Sequence, residues 1–220
     1  MNEIPKEVSE FRKAWLPKVP SWYSARWHYF GTSAVSFPLI AYGLSKLINS
    51  SSIESLTWME WASIPFFFVT ASLVEYLVHK YPLHRKLPLG SHAYTQHTLR
   101  HHQYYTDQAI EAVQAKEYHL VLFPVWGVIL IQYAVNLPYS MLVGTLAGER
   151  FGWIGLVVGV LFFFIYETIH AICHFPVESG IFKIPGLWFL REHHRIHHRK
   201  NLMAKKNFNI VFPIWDWILK

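Results

Sequence analysis

The sequence predicts an all-α integral membrane protein with about four transmembrane helices and a cytosolic, histidine-rich helical cap, all in one domain over residues 1–220. Three observations lead there. Hydrophobic residues make up 52% of the 220-residue chain and charged residues only 15%, against roughly 25% charged in a typical soluble domain. Apolar stretches close to the ~20 residues that cross hydrocarbon recur along it. All 14 histidines except His28 lie from His79 to His198, within or at the edges of the two most polar, basic segments. Ten Trp and twelve Tyr agree with this, because amphipathic rings favour the headgroup zone.

Residues 1–26 form a polar, proline-containing segment without the short apolar run and small-residue cleavage site of a signal peptide, so it is expected to be retained in the cytosol. The four expected spans are Tyr29 to Ile48, Trp61 to Val78, His119 to Leu137 and Phe151 to Ile169. Pro38, Pro65 and Pro124 lie inside or near the starts of three of them, which argues against straight helices but not against burial in lipid. The loop Asn49 to Glu60 has no Lys or Arg and the loop Pro138 to Arg150 has only Arg150, so both should face away from the cytosol. Cations concentrate instead in the middle segment, at Lys80, Arg85, Lys86, Arg100 and Lys116, and in the tail after Lys183. Both segments, and both termini, are therefore expected on the cytosolic side. The net charge of +6 reads as membrane topology and not as a nucleic-acid surface, because the cations fall between apolar spans. The lone Cys173 offers neither an internal disulfide nor a thiolate metal site.

The histidines fall into boxes: His79 and His84; His97, His101 and His102; His170 and His174; His194, His197 and His198; with His92, His119 and His193 as near neighbours. Neutral imidazole is the commonest side-chain metal ligand near neutral pH. On a helix, residues three or four apart share a face, so His170 and His174, or His194 and His197, can converge on one point. Pro82 disfavours continued helix just before it, so His84 is expected to reach in from a turn. The order of two spans, a pair and a triplet occurs twice. Each half is thus able to supply five ligands, and two such sets of five suit two adjacent five- or six-coordinate ions better than one tetrahedral zinc. His28, alone before the first span, reads as an interfacial residue.

The boxes HKYPLH, HTLRHH, HAICH and HHRIHH resemble the fatty acid hydroxylase superfamily, which includes sterol desaturases, sterol oxidases and sphingolipid fatty-acid 2-hydroxylases. The resemblance runs from about Trp61 to the C-terminus. The closing run NFNIVFPIWD, Asn207 to Asp216, is similar to the family's C-terminal pattern, with Asn209 where Gly is frequent. Both residue types tolerate a left-handed backbone, so a turn is expected there. Three residues separate His97 from His101 where the 2-hydroxylases typically have two.

The resemblance implies a non-haem di-iron centre that uses O2 and two electrons to hydroxylate or desaturate an unactivated lipid C–H bond. Carried over by position, its ligands would be His79, His84, His97, His101, His102, His170, His174, His194, His197 and His198, with no catalytic residue beyond the metal centre. Zn2+ is able to occupy such a site in purified protein. The substrate implied first is a fatty-acyl or sphingolipid chain, with sterol or carotenoid oxidation or desaturation as the alternative, and aldehyde decarbonylation as a related activity. Electrons are expected from a separate protein of the cytochrome b or ferredoxin type, and the membrane is the endoplasmic reticulum or a bacterial inner membrane.

Metal-bound imidazoles usually give their other N–H to a carboxylate or carbonyl. Glu75, Tyr166, Glu167 and Asp216 are the candidates for that supporting role, the two glutamates because a carboxylate near a span end needs a partner. A metal transporter or sensor is the reading from another class. Transport places ligands near the bilayer midplane, whereas the middles of these spans are almost free of histidine and acid.

Overall fold

The computed structural model describes residues 4–50 and 55–219, so residues 51–54 of the first expected loop lie outside the described residues. Among the described residues the secondary structure is helical, the one β feature being an isolated bridge between Thr106 and Ala109. The helices are α1 (Lys6–Trp15), α2 (Ala25–Ser50), α3 (Trp58–Val78), α4 (Ser91–Gln96), α5 (His102–Tyr104), α6 (Val125–Ile131), α7 (Leu137–Ala147), α8 (Glu149–Cys173), α9 (Leu187–His197) and α10 (Ile214–Ile218). They group into two compact units. One contains the N-terminal residues up to Ala25, Ser72–Leu122 and the chain from Tyr166 onward; the other contains Arg26–Ala71 and Phe123–Ile165.

Three helical stretches are long and apolar enough to cross a membrane: Trp58–Leu83, Ala115–Ala147 and Glu149–Cys173. Helix α2 is long enough at 26 residues. It is less apolar than the others because it carries Arg26, His28, Thr32, Ser33, Ser36, Ser45 and Lys46. Three of the four expected spans therefore meet the length and apolarity of a span.

Local sequence sets the ends. Thr57 and Glu60 form a reciprocal cap at the start of α3: the Glu60 carboxylate accepts from the Thr57 backbone N–H at 2.7 Å, and Thr57 Oγ1 accepts from the Glu60 N–H at 3.3 Å. Glu60 also meets Arg150 Nε at 3.3 Å, which balances a buried carboxylate.

The third span differs from expectation at both ends. His119 lies in a short 3-10 helix, Ala115–Leu120, the α-helix proper starts at Val125 behind Pro124, and the helix continues past Leu137 to Ala147. Pro138 is tolerated because the preceding turn, Gln132–Asn136, widens to a π-helix, which relieves the clash of its ring with the carbonyl four residues back. The expected loop Pro138 to Arg150 is accordingly mostly helix. Gly148, at φ +117°, makes the turn to α8 in a conformation that disfavours a side chain.

Helices α7 and α8 then touch backbone to backbone. A Cβ on Gly152 would lie 2.6 Å from the Ser140 carbonyl oxygen and 2.8 Å from Gly144 Cα, and Ser140 Oγ donates to the Gly152 carbonyl at 2.6 Å. Gly152→Leu is expected to lower stability by at least ~1–3 kcal/mol, the usual cost of overpacking, read as a fall in melting temperature of the detergent-solubilised protein. The same unit packs Leu39, Leu156 and Val160 in one cluster and Leu47, Phe67 and Ile154 in another. The Phe68 and Phe162 rings add an edge-to-face contact, 5.2 Å apart.

In the other unit, α1 is a helix in a stretch the sequence showed only as polar. Val8, Phe11 and Trp15, at helical spacing, make its inner face. Phe11 and Trp15 pack on a core of Tyr104, Tyr105, Ala112 and Val121.

Candidate metal centre

All ten histidines of the four boxes are buried, and they converge in the unit that contains α4, α5 and α9. Two π-turns set up the first two boxes. His79–Leu83 is π-helical around Pro82 and ends at His84 (φ −111°, ψ −3°), which leaves the helix as a turn residue. His97–His101 is also π-helical, and the His102 N–H bonds the His97 carbonyl. In a regular α-helix a five-residue step turns the side chain roughly 140° away, whereas the wider π-turn brings His97 and His102 to one side. Their Nε2 atoms are 3.1 Å apart. The other two boxes lie at the C-terminal ends of α8 and α9, with His174 and His198 the first residues past those helices.

The donors form two groups. Ligand atoms of His79, His84, His97, His102 and His197 all lie within 4.8 Å of one another, and so do those of His101, His174, His194 and His198. His170 stands beside the second group, its ring 5.0 Å from His101 and 4.8 Å from His194. Its other nitrogen faces the backbone of Val121, while its Nε2 is buried without a hydrogen-bond partner. The division does not follow the two halves of the sequence. His197 joins four histidines of the first half, and His101 joins those of the second, so each half gives four residues to its own group and one to the other.

The rings are held from outside by backbone carbonyls. His79 Nδ1 donates to the Phe208 carbonyl. His101 Nδ1 donates to Leu120 at 2.9 Å, His174 Nδ1 to Ile110 at 2.7 Å, His197 Nδ1 to Lys206 at 2.8 Å and His198 Nδ1 to Tyr105 at 2.7 Å. His84 Nδ1 donates to Thr98 Oγ1 at 3.1 Å, whose own hydroxyl proton goes to the Leu83 carbonyl at 2.6 Å. These bonds fix the proton on Nδ1 and leave the Nε2 lone pair facing inward.

Nε2 atoms then meet one another: His79 with His97 at 3.0 Å, His84 with His197 at 3.0 Å, His101 with His198 at 3.2 Å, His194 with His174 at 3.2 Å and with His198 at 2.9 Å. In the His84–His197 and His101–His198 contacts both Nδ1 atoms carry the proton, so lone pair faces lone pair, which is repulsive unless a proton or a cation lies between. Protons are disfavoured: burial first, then the neighbouring imidazoles, lowers His84 to about 2 and holds His97, His101, His102 and His198 well below the ordinary histidine pKa. The same order of causes applies to His174, His194 and His197. The donor set therefore fits metal cations held by neutral imidazole.

Of the four supporting candidates, Glu75 and Asp216 bind the C-terminal segment. Glu75 accepts from Asn209 Nδ2 at 3.0 Å, from the Ile210 N–H at 2.6 Å and from the Val211 N–H at 3.3 Å. Asp216 accepts from the Phe208 and Asn209 N–H groups at 2.8 and 2.9 Å and pairs with His193 Nε2 at 3.0 Å. Neither touches the ten rings in these bonds. Both fix the C-terminal segment whose Lys206 and Phe208 carbonyls hold His197 and His79. The Tyr166 ring lies 5.9 Å from that of His170. Glu167 is buried, and its charge, after burial, raises the Tyr23 phenol pKa. The left-handed residue of this segment is Asn207 (φ 60°), not Asn209. Asn209 is wholly buried and its amide nitrogen also donates to the Ser72 carbonyl at 2.9 Å.

Sequence reasoning missed the carbonyls, which every residue type carries and no motif marks. It also missed Thr98, although its place one residue after His97 was a signal. Thr98→Val is expected to free the His84 ring and to weaken metal binding by about 10–100-fold, measured by chelator competition.

Long apolar helices and a buried cage of ten imidazoles define an integral membrane protein of the polyhistidine class. The chain belongs to the fatty acid hydroxylase family, whose sequence profile matches residues 64–220. Family membership supports an oxidoreductase. Among solved structures it is similar to full-length scs7p, of which only the hydroxylase domain is visible, with a TM-score of 0.52 and 19% identity over 96% of this chain. That likeness shows the fold alone, and this chain spans 65% of that chain's length. No curated protein matches.

Proposed function

We propose that this chain is an O2-dependent oxidoreductase that hydroxylates a C–H bond of a membrane lipid, first of all a fatty-acyl or sphingolipid chain, with two irons as its metal. The observation that carries the reading is the convergence of buried imidazoles in two groups, with the Nδ1 protons of His79, His84, His101, His174, His197 and His198 committed elsewhere. His79, His84, His97, His102 and His197 would hold one iron, and His101, His174, His194 and His198 with His170 the other. Iron bound there supplies the chemistry of O2 reduction, in which two electrons and two protons convert O2 and R–H into R–OH and water. Neutral ligands leave the irons strongly cationic, and burial of the rings keeps bulk water from the oxidant. Carbonyl-bound Nδ1–H groups keep His79, His101, His174, His197 and His198 in one tautomer.

We place the site and both termini on the cytosolic face, from the excess of Lys and Arg in the histidine-bearing segments. The chain is read as one membrane-embedded hydroxylase domain. Its reductant would be a separate electron-transfer protein of the cytochrome b or ferredoxin type, and its substrate would arrive from the bilayer.

A single-turnover experiment tests the reading. Protein loaded with Fe2+, chemically reduced, and exposed to 18O2 in lipid is expected to place one labelled oxygen in a fatty-acyl or ceramide species. Unlabelled fatty-acyl, ceramide and sterol pools from iron-loaded protein would sink it. Label in a sterol alone would move the substrate to the sterol branch.

A further inference from the structure

The family match begins at residue 64, and helix α1 lies well before it. One α1 residue nevertheless reaches the backbone that aims the second histidine group. Arg12 Nε donates to the Tyr104 carbonyl at 2.9 Å, and its Nη2 donates to the carbonyls of Ala109 and, at 3.4 Å, Glu111. Its guanidinium carbon also sits 4.8 Å from the Tyr104 ring centre and 5.4 Å from that of Tyr105.

The carbonyls between these three point the other way. Tyr105 accepts from His198 Nδ1 and Ile110 accepts from His174 Nδ1, both at 2.7 Å. The segment doubles back through a tight turn, with the Ala109 N–H bonded to the Thr106 carbonyl at 3.0 Å and a bridge between Thr106 and Ala109. In extended backbone successive carbonyls alternate sides. Tyr104, Ala109 and Glu111 therefore turn to Arg12 while Tyr105 and Ile110 turn to the imidazoles. The far side is held as well: the Glu111 carboxylate accepts from Arg191 Nη2 at 2.9 Å and from the Val177 N–H at 3.0 Å.

We propose that Arg12 is a positioning residue of the group formed by His101, His174, His194 and His198, its guanidinium fixing the Tyr104–Glu111 backbone so that two carbonyls orient His174 and His198. Three acceptors on one backbone suit the flat, five-donor fork of arginine, and a lysine's point-like ammonium cannot span them. The first group receives no carbonyl from this segment; its outer bonds go to Lys206, Phe208 and Thr98. The effect of Arg12 is thus confined to one of the two metal positions.

This inference rests on the metal reading of the two groups, and the experiment separates the two. Full-length protein is loaded with Co2+, its d–d spectrum is recorded, and the ions are withdrawn by a graded chelator. The wild type is expected to release two ions in two steps, one of which is abolished by His194→Ala. Arg12→Ala is expected to weaken that same step by about 10–100-fold and to leave the other step unchanged. Arg12→Lys should fall between, and millimolar guanidinium should restore Arg12→Ala. Lys13→Ala, an exposed neighbour on α1, should match the wild type.

Equal weakening of both steps in Arg12→Ala would reduce Arg12 to an anchor of α1, and unchanged release would remove it from the site altogether. If Arg12→Ala does not fold, Arg12→Lys alone decides by the same criterion. A wild type that binds no Co2+ would overturn the metal reading and this inference with it, whereas an unchanged Arg12 variant overturns only the inference.

Discussion

His101→Ala is expected to empty the metal position shared with His174, His194 and His198 and to leave the other one filled. Purified protein should then contain one equivalent of metal in place of two, with lipid oxidation at background. His97→Ala, only four residues earlier, should do the reverse. The pairing follows from the exchange between the halves: His101 Nε2 lies 3.2 Å from His198 Nε2, and His97 Nε2 lies 3.0 Å from His79 Nε2. Removing one of four or five imidazoles opens a cavity in a buried site whose other donors cannot turn, because carbonyls hold most of them by Nδ1. The check is metal content by mass spectrometry together with circular dichroism to show retained helix. Identical losses in His101→Ala and His97→Ala would defeat the two-group assignment.

The second large effect is expected at Glu75. Glu75→Ala leaves the Ile210 and Val211 N–H groups and one amide bond of Asn209 without their acceptor in a buried setting. A buried polar group deprived of its partner costs about 1–3 kcal/mol, so three together should cost on the order of 3 kcal/mol or more. The segment released is the one whose Phe208 and Lys206 carbonyls orient His79 and His197. Metal at the first group should fall in step with melting temperature. Glu75→Gln keeps a carbonyl oxygen for Ile210 and Val211 and should lose about 1–2 kcal/mol. Equal stability of Glu75→Ala and the wild type, by thermal melting in detergent, would contradict this account.

The comparison of Glu75 and His84 shows where sequence reading reached and where it stopped. For His84, Pro82 was enough: its ring clashes with the preceding turn, and the π-turn His79–Leu83 is that effect. For Glu75, the cost of a carboxylate near a span end showed that it needs a partner, but not that the partner lies over 130 residues away in the chain. The third span shows the same limit. Its apolar composition was legible, but its start at Val125 and its run through Pro138 depended on a cap and a widened turn that composition does not register. Helix α1 was not expected, because the charges among Val8, Phe11 and Trp15 mask a one-sided apolar face.

By itself the sequence determined the class of the protein, its helical spans in outline and the ten histidines, because hydrocarbon thickness and helix periodicity act on residues near in the chain. Tertiary structure alone decided which histidines face which. Matched halves suggested two sets of five, and the fold groups His197 with the first half's histidines and His101 with the second's. The reason is that the wider π-turn at His97 brings His102 beside it, while Nδ1 bonds to distant carbonyls fix the direction of His101 and His197. Such bonds depend on packed backbone and on no residue's identity, so they leave no mark in the sequence.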